Sequence, residues 1–154
     1  MAFWRSTEEI GDDVGLNMDL AKDAIGHYSR VAGVGISIID SRGKPLYSVG
    51  YTGLCCKFCS EVRDILDTEK DYCDRVHLYG GYQSERFGGR YIFFCPLGLA
   101  HWASPISSGG MVRGYLLCGP VLMMTPEEFL IEDLLLKNRI KKEHLGRLKE
   151  NLKH

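Results

Sequence analysis

No long apolar run, no excess of charge of either sign and no internal repeat stands out in these 154 residues. The 19 basic residues face 20 acidic ones, a net charge of −1, so nothing pulls the chain toward DNA, RNA or an acidic membrane surface. No stretch reaches the roughly 20 apolar residues that cross a bilayer. The longest candidate, Tyr115 to Met124, is interrupted by Gly119 and Pro120. The opening Met1 to Glu9 lacks the basic start and apolar core of a secretion signal. A Gly-x-x-x-x-Gly-Lys-Ser/Thr loop is missing, and Gly33-Val34-Gly35 leaves a helix to enter a strand, the reverse of a dinucleotide fingerprint. No direct nucleic-acid or membrane partner is therefore expected, and the expected location is cytoplasmic.

What is present suits one core: 45% of residues are hydrophobic and 25% charged. Apolar residues at Leu20, Ala24, Ile25, Tyr28 and Val31 predict a helix over Asn17 to Ala32, with Gly33 as its C-cap. Val34 to Ile39 reads as a strand, Asp40 to Gly43 as a hairpin turn, and Lys44 to Val49 as the return strand. Ser60 to Leu66 and Glu69 to Tyr79 read as helices, the second ending at Gly80-Gly81. Strands follow at Arg90 to Cys95, Leu99 to Ile106 and Val112 to Val121, the last two joined by the short link Ser107 to Gly110. Thr125-Pro126-Glu127-Glu128 is a helix start with an N-cap and a capping-box glutamate. A last helix carries Leu145, Leu148 and Leu152 on one side.

This order predicts an α+β fold, a five-stranded antiparallel sheet with helices on one face and extra N- and C-terminal helices, by analogy a PAS-like plan. Residues 1–154 are expected to form one domain. An N-terminal segment (1–16) precedes the core (17–124), and C-terminal helices (125–154) follow it.

The residues also resemble a known family. Gly33-Val34 with Ile36 to Leu46, Phe58-Cys59 with Val62-Arg63, and Cys73-Asp74 are similar to successive pieces of PocR-type sensory domains. So are Cys95-Pro96-Leu97-Gly98-Leu99, Ala103 to Ile106, Gly110, Gly114, Gly119-Pro120-Val121 and the tail from Ile140 to Leu145. The resemblance runs from about Leu16 to the C-terminus. It implies a PAS-like domain that senses small hydrocarbon derivatives such as short diols, attached to a transcriptional regulator or histidine kinase of a two-component system. It implies no enzymatic activity. Pro96 and Pro120 stand where the family often carries polar residues, and Cys55, Cys56 and Cys118 are additional to its usual Cys59, Cys73 and Cys95.

Six cysteines in a cytoplasmic protein suggest a metal site, a redox site or buried packing thiols. Cys56-Lys57-Phe58-Cys59 has the two-residue gap that turns two sulfurs toward one ion, and the resemblance implies that Cys59, Cys73 and Cys95 meet in space. Cys56, Cys59, Cys73 and Cys95 are thus the candidate metal ligands, for zinc or an iron–sulfur cluster. The alternatives are a redox or oxygen sensor built on those thiolates, and a thiol enzyme pairing Cys73 with His77, four residues on.

Alternation puts Tyr91, Phe93 and Cys95 on one sheet face and sends His101, but not Trp102, inward. With Tyr115 these make the candidate ligand-binding set: Tyr91, Phe93, Cys95, His101 and Tyr115. Arg113 is placed on the solvent side of its strand. The leucines of the last helix have a three-then-four spacing that suits a partner helix in a homodimer, or packing onto their own domain.

Overall fold

The computed structural model describes residues 15–50, 57–66, 71–125 and 140–151. Helix α1 (Met18–Ala32) starts where Asn17 Oδ1 accepts from the Leu20 N–H and ends at Gly33 in the left-handed region. Strands β1 (Ile36–Asp40) and β2 (Pro45–Val49) form a hairpin. Its turn is held by the Asp40 carboxylate, which accepts from the Arg42 and Lys44 N–H groups at 2.8 Å each. Helices α2 (Lys57–Leu66) and α3 (Asp71–Arg86) follow, then β3 (Tyr91–Phe94), β4 (Ala100–Ser108) and β5 (Met111–Val121). A 3-10 turn (Lys142–His144) leads into α4 (Leu145–Asn151). The expected helix from Thr125-Pro126 falls on residues outside those described.

The five strands form one antiparallel sheet in the order β2-β1-β5-β4-β3, so the first strand and the last lie side by side at its centre. This is an α+β fold on the PAS-like plan. Alternation along the strands separates two apolar clusters. On one face Ile39, Phe93, Ala103, Tyr115 and Leu117 pack with Val76 and Leu78 of α3. On the other, Ile36, Ile38 and Cys118, with Trp102 and Leu116, pack with Met18 and Ile25 of α1. The N-terminal helix thus covers the face that α3 leaves open.

Beside the sheet, a third cluster joins Phe58, Cys59 and Val62 of α2 to Leu97, Leu99, Ile140 and Leu148. Leu148 is completely buried there, Leu145 packs against the same cluster, and Arg147 pairs with Glu61. For Leu145 and Leu148 the spacing therefore serves their own domain; Leu152 lies outside the described residues.

Helix α3 does not stop at Gly80-Gly81 but runs on to Arg86. A Cβ on Gly80 would stand 2.3 Å from the Phe93 ring, and one on Gly81 2.6 Å from the Tyr115 ring. The two glycines let the helix backbone lie directly on the aromatic side chains of the sheet, and that contact holds the helix through a pair normally read as a breaker. His77, Gly80, Gly81 and Ser84, at helical spacing, form its buried face.

Candidate functional site

Where α3 crosses β3 and β4, rings stack in an unbroken row. Phe87 stacks on Tyr91 (centroids 5.4 Å apart), Tyr91 on Phe93 (6.1 Å) and Phe93 on His101 (5.4 Å). His101 in turn meets His77 of α3 at 5.1 Å, tilted by 58°. The row exists because β3 alternates: Tyr91 and Phe93 turn toward α3, while Ile92 and Phe94 remain exposed on the opposite side. Phe93 and His101 are directly paired across β3 and β4, so their side chains share a face.

Both histidines are 4% exposed. Burial holds His77 down to about 4, with the Arg63 guanidinium adding to the shift. Burial holds His101 down to about 3, with His77 opposing a second charge. Both imidazoles are neutral at physiological pH. His77 Nδ1 is buried and has no hydrogen-bond partner among the described residues, an arrangement that costs about 1–3 kcal/mol when nothing compensates it. A neutral imidazole carries one donor and one acceptor nitrogen, so the pair can bind a hydroxyl or carbonyl, and the burial that keeps both rings neutral also disfavours a charged ligand.

The site is fixed from the sheet side by an irregularity. Between Trp102↔Cys118 and Ala100↔Val121, β5 carries one residue more than β4, so Gly119-Pro120 lies opposite His101. Gly119 has φ 113°, and a Cβ there would lie 2.8 Å from the Ala100 oxygen and 3.1 Å from His101 Nδ1. Next along the face, Tyr115 is fully buried, donates to the Glu85 carboxylate and meets Tyr82 edge-on at 5.8 Å. Burial first, then Glu85, pushes its phenol above the ordinary range.

Of the five expected ligand-lining residues, Tyr91, Phe93, His101 and Tyr115 lie on this face, and His101 points inward as alternation requires. Cys95 lies elsewhere. The strand ends at Phe94, and a tight loop in which Cys95 N–H donates to Leu99 O and Gly98 N–H to Cys95 O carries it toward Cys59 and Leu97. Trp102 packs on the α1 face, where its indole bonds the Cys118 thiol. Burial pushes that thiol up to about 11 despite this bond, which makes Cys118 an unreactive packing residue. Arg113 is half-buried at a second register shift, with Nε buried near Gly15, because strict alternation fails at a bulge. His77 was absent from the sequence-based ligand set. Its signal was the His77, Gly80, Gly81, Ser84 spacing, which a helix ending at Gly80 conceals.

Among the expected metal ligands, Cys59 and Cys95 share the apolar cluster beside the sheet, and Cys73 lies near the start of α3. Cys56 lies outside the described residues. Among those described, no group of three or more His, Cys, Asp or Glu side chains is arranged to hold a metal ion. No helix among them is long and apolar enough to cross a membrane.

An antiparallel sheet in this strand order, with a helix across one face and rings and neutral histidines between them, defines a PAS-like domain. The chain belongs to the family described as the sensory domain found in PocR, whose model matches residues 16–153. No curated protein and no solved structure matches the chain. Membership assigns the chain a signal-sensing role.

Proposed function

We propose that the chain senses a small, uncharged hydrocarbon derivative of the short-diol kind, held between α3 and the sheet beside His77 and His101. It passes the bound state to a kinase or DNA-binding output domain, and it carries no catalytic activity of its own. The observation that supports this reading best is the buried, neutral histidine pair stacked on Phe93, with His77 Nδ1 unpartnered among the described residues. A hydroxyl both donates and accepts, so it satisfies that nitrogen in either tautomer. The rings of Phe93 and Tyr91 offer apolar surface to a hydrocarbon tail. Strand β5 carries Tyr115 on this face, pairs with both β1 and β4, and ends just before the C-terminal segment, so it is the natural route for the signal.

The test is a thermal-shift screen of short diols against carboxylates and amines of equal size. A diol at a hundredfold excess over its Kd is expected to stabilise the domain by about 2.7 kcal/mol. Replacing His101 or His77 with Phe should abolish the shift, whereas replacing Arg113 should leave it. A preference for amines, or no stabilisation by any member, would count against the reading.

A second reading is favoured by Cys59 and Cys95 falling in one cluster. Together with Cys56 and Cys73, these thiolates would hold zinc or an iron–sulfur cluster and make the domain a metal or redox sensor. Protein purified without oxygen should then contain bound metal, and Cys→Ser at Cys59, Cys73 or Cys95 should lower metal content and melting temperature together. Fully folded, metal-free protein would reject it.

A further inference from the structure

We propose that α1 is a dimerisation helix that pairs antiparallel with α1 of a second copy of this chain. The helix presents apolar side chains on two opposite sides. Met18, Ile25 and Ser29 are buried toward the sheet. On the far side Leu20, Ala24, His27 and Val31 follow a four-then-three-then-four spacing, which keeps them within an arc of about 60°. All four are exposed, Leu20 to 66% and Val31 to 90%, and Tyr28 flanks them at 50%. Single exposed apolar residues are ordinary; Leu20, Ala24 and Val31 aligned over three turns, with the His27 imidazole between them, on a helix already buried on its other face, are not.

The charges beside the stripe select its occupant. In heptad terms Leu20 and His27 take the d positions, Ala24 and Val31 the a positions, and Asp23 and Arg30 both g positions. The other flank, Ala21 and Tyr28, is uncharged. In an antiparallel pair g faces g, so Asp23 of each copy meets Arg30 of the other and two ion pairs form about one symmetry axis. Leu20 then lies over Val31, and Ala24 over His27, where the small alanine lets the helices approach. A parallel pair would set charged g against uncharged e and align the helix dipoles unfavourably. Arg30 makes no ion pair among the described residues, while Asp23 lies 3.4 Å from His27 of its own helix. The C-terminal helix, whose leucine spacing first suggested a dimer, has Leu148 buried in its own domain.

The paired stripes are small for a specific interface, so the dimer should be weak and appear at about 100 µM protein. Sedimentation velocity over a concentration series is expected to show monomer turning to dimer, and Val31→Glu, at an exposed position, to abolish the dimer with an unchanged circular dichroism spectrum. Asp23→Arg and Arg30→Asp should each weaken association about tenfold, and the two together should restore it. Leu20→Cys combined with Val31→Cys should give a peptide-mapped intermolecular 20–31 disulfide, and Leu20→Cys alone no 20–20 link. The proposal is overturned by a protein that stays monomeric throughout, by a dimer indifferent to Val31→Glu, by a 20–20 link, or by failure of the charge exchange to restore association. A monomer whose melting temperature falls on Val31→Glu would overturn it too, showing that the stripe is covered by the chain itself.

Discussion

Acidification from pH 7 to pH 4 is expected to unfold the domain, largely through two side chains. His77 and His101 titrate in the folded protein at about 4 and about 3, well below the ordinary 6.5. Between pH 6.5 and those values the unfolded chain takes up protons that the folded chain refuses, so stability falls as pH falls. It is fully present above about pH 6.5 and lost progressively toward pH 3–4. At about 1.4 kcal/mol per pH unit the two shifts amount to a loss on the order of 5–8 kcal/mol, comparable to the whole stability of many domains. The measurement is urea unfolding at half-unit steps from pH 7.5 to pH 4. The double variant His77→Gln/His101→Gln has nothing to titrate at these positions, and its stability should decline far less over the same range. A variant profile with the slope of the native protein would show that the histidines are not buried in their neutral form.

Replacing Gly80 or Gly81 with alanine is the second large effect, and its sign is the informative part. Inside a helix, Gly→Ala ordinarily stabilises by about 1 kcal/mol. Here the new methyl group would meet the Phe93 ring from position 80 or the Tyr115 ring from position 81. Both rings belong to a buried cluster and cannot simply swing away, so overpacking should outweigh propensity by about 2 kcal/mol. A fall in melting temperature of about 4–8 °C is expected at each site. Gly26, in α1 with nothing within 4 Å of a built Cβ, is the control, and Gly26→Ala should raise the melting temperature. Phe93→Leu should relieve part of the cost of Gly80→Ala. If Gly80→Ala and Gly81→Ala stabilise as Gly26→Ala does, α3 does not lie on the sheet as closely as described.

Much of this architecture was legible in the residues because it is local. The cap at Asn17, the Asp40 turn, the glycines of the tight links and the period-two alternation of β3 are decided within a few positions. From those alone the element order follows, as does the inward direction of Tyr91, Phe93 and His101. The ordered motif set likewise pointed to the sensory family that the match over residues 16–153 establishes.

What only the tertiary structure decided rests on contacts between segments far apart in sequence. Gly80-Gly81 reads as a helix end by propensity. It becomes the middle of α3 because Phe93 and Tyr115, 13 and 34 residues further on, occupy the space that two methyl groups would take. His77 belongs to the site because that helix continues across the sheet. Cys95 left the ring row because the strand ends one residue before it, and Arg113 escaped strict alternation at a register shift, which depends on the partner strand. The leucine spacing of the last helix was plain, but whether it meets another copy or its own α2 is a question of which apolar surface lies within reach. Phe58, Cys59 and Val62 already stand there. Propensity and periodicity are properties of a segment; close approach is a property of two, and one segment's residues do not contain it.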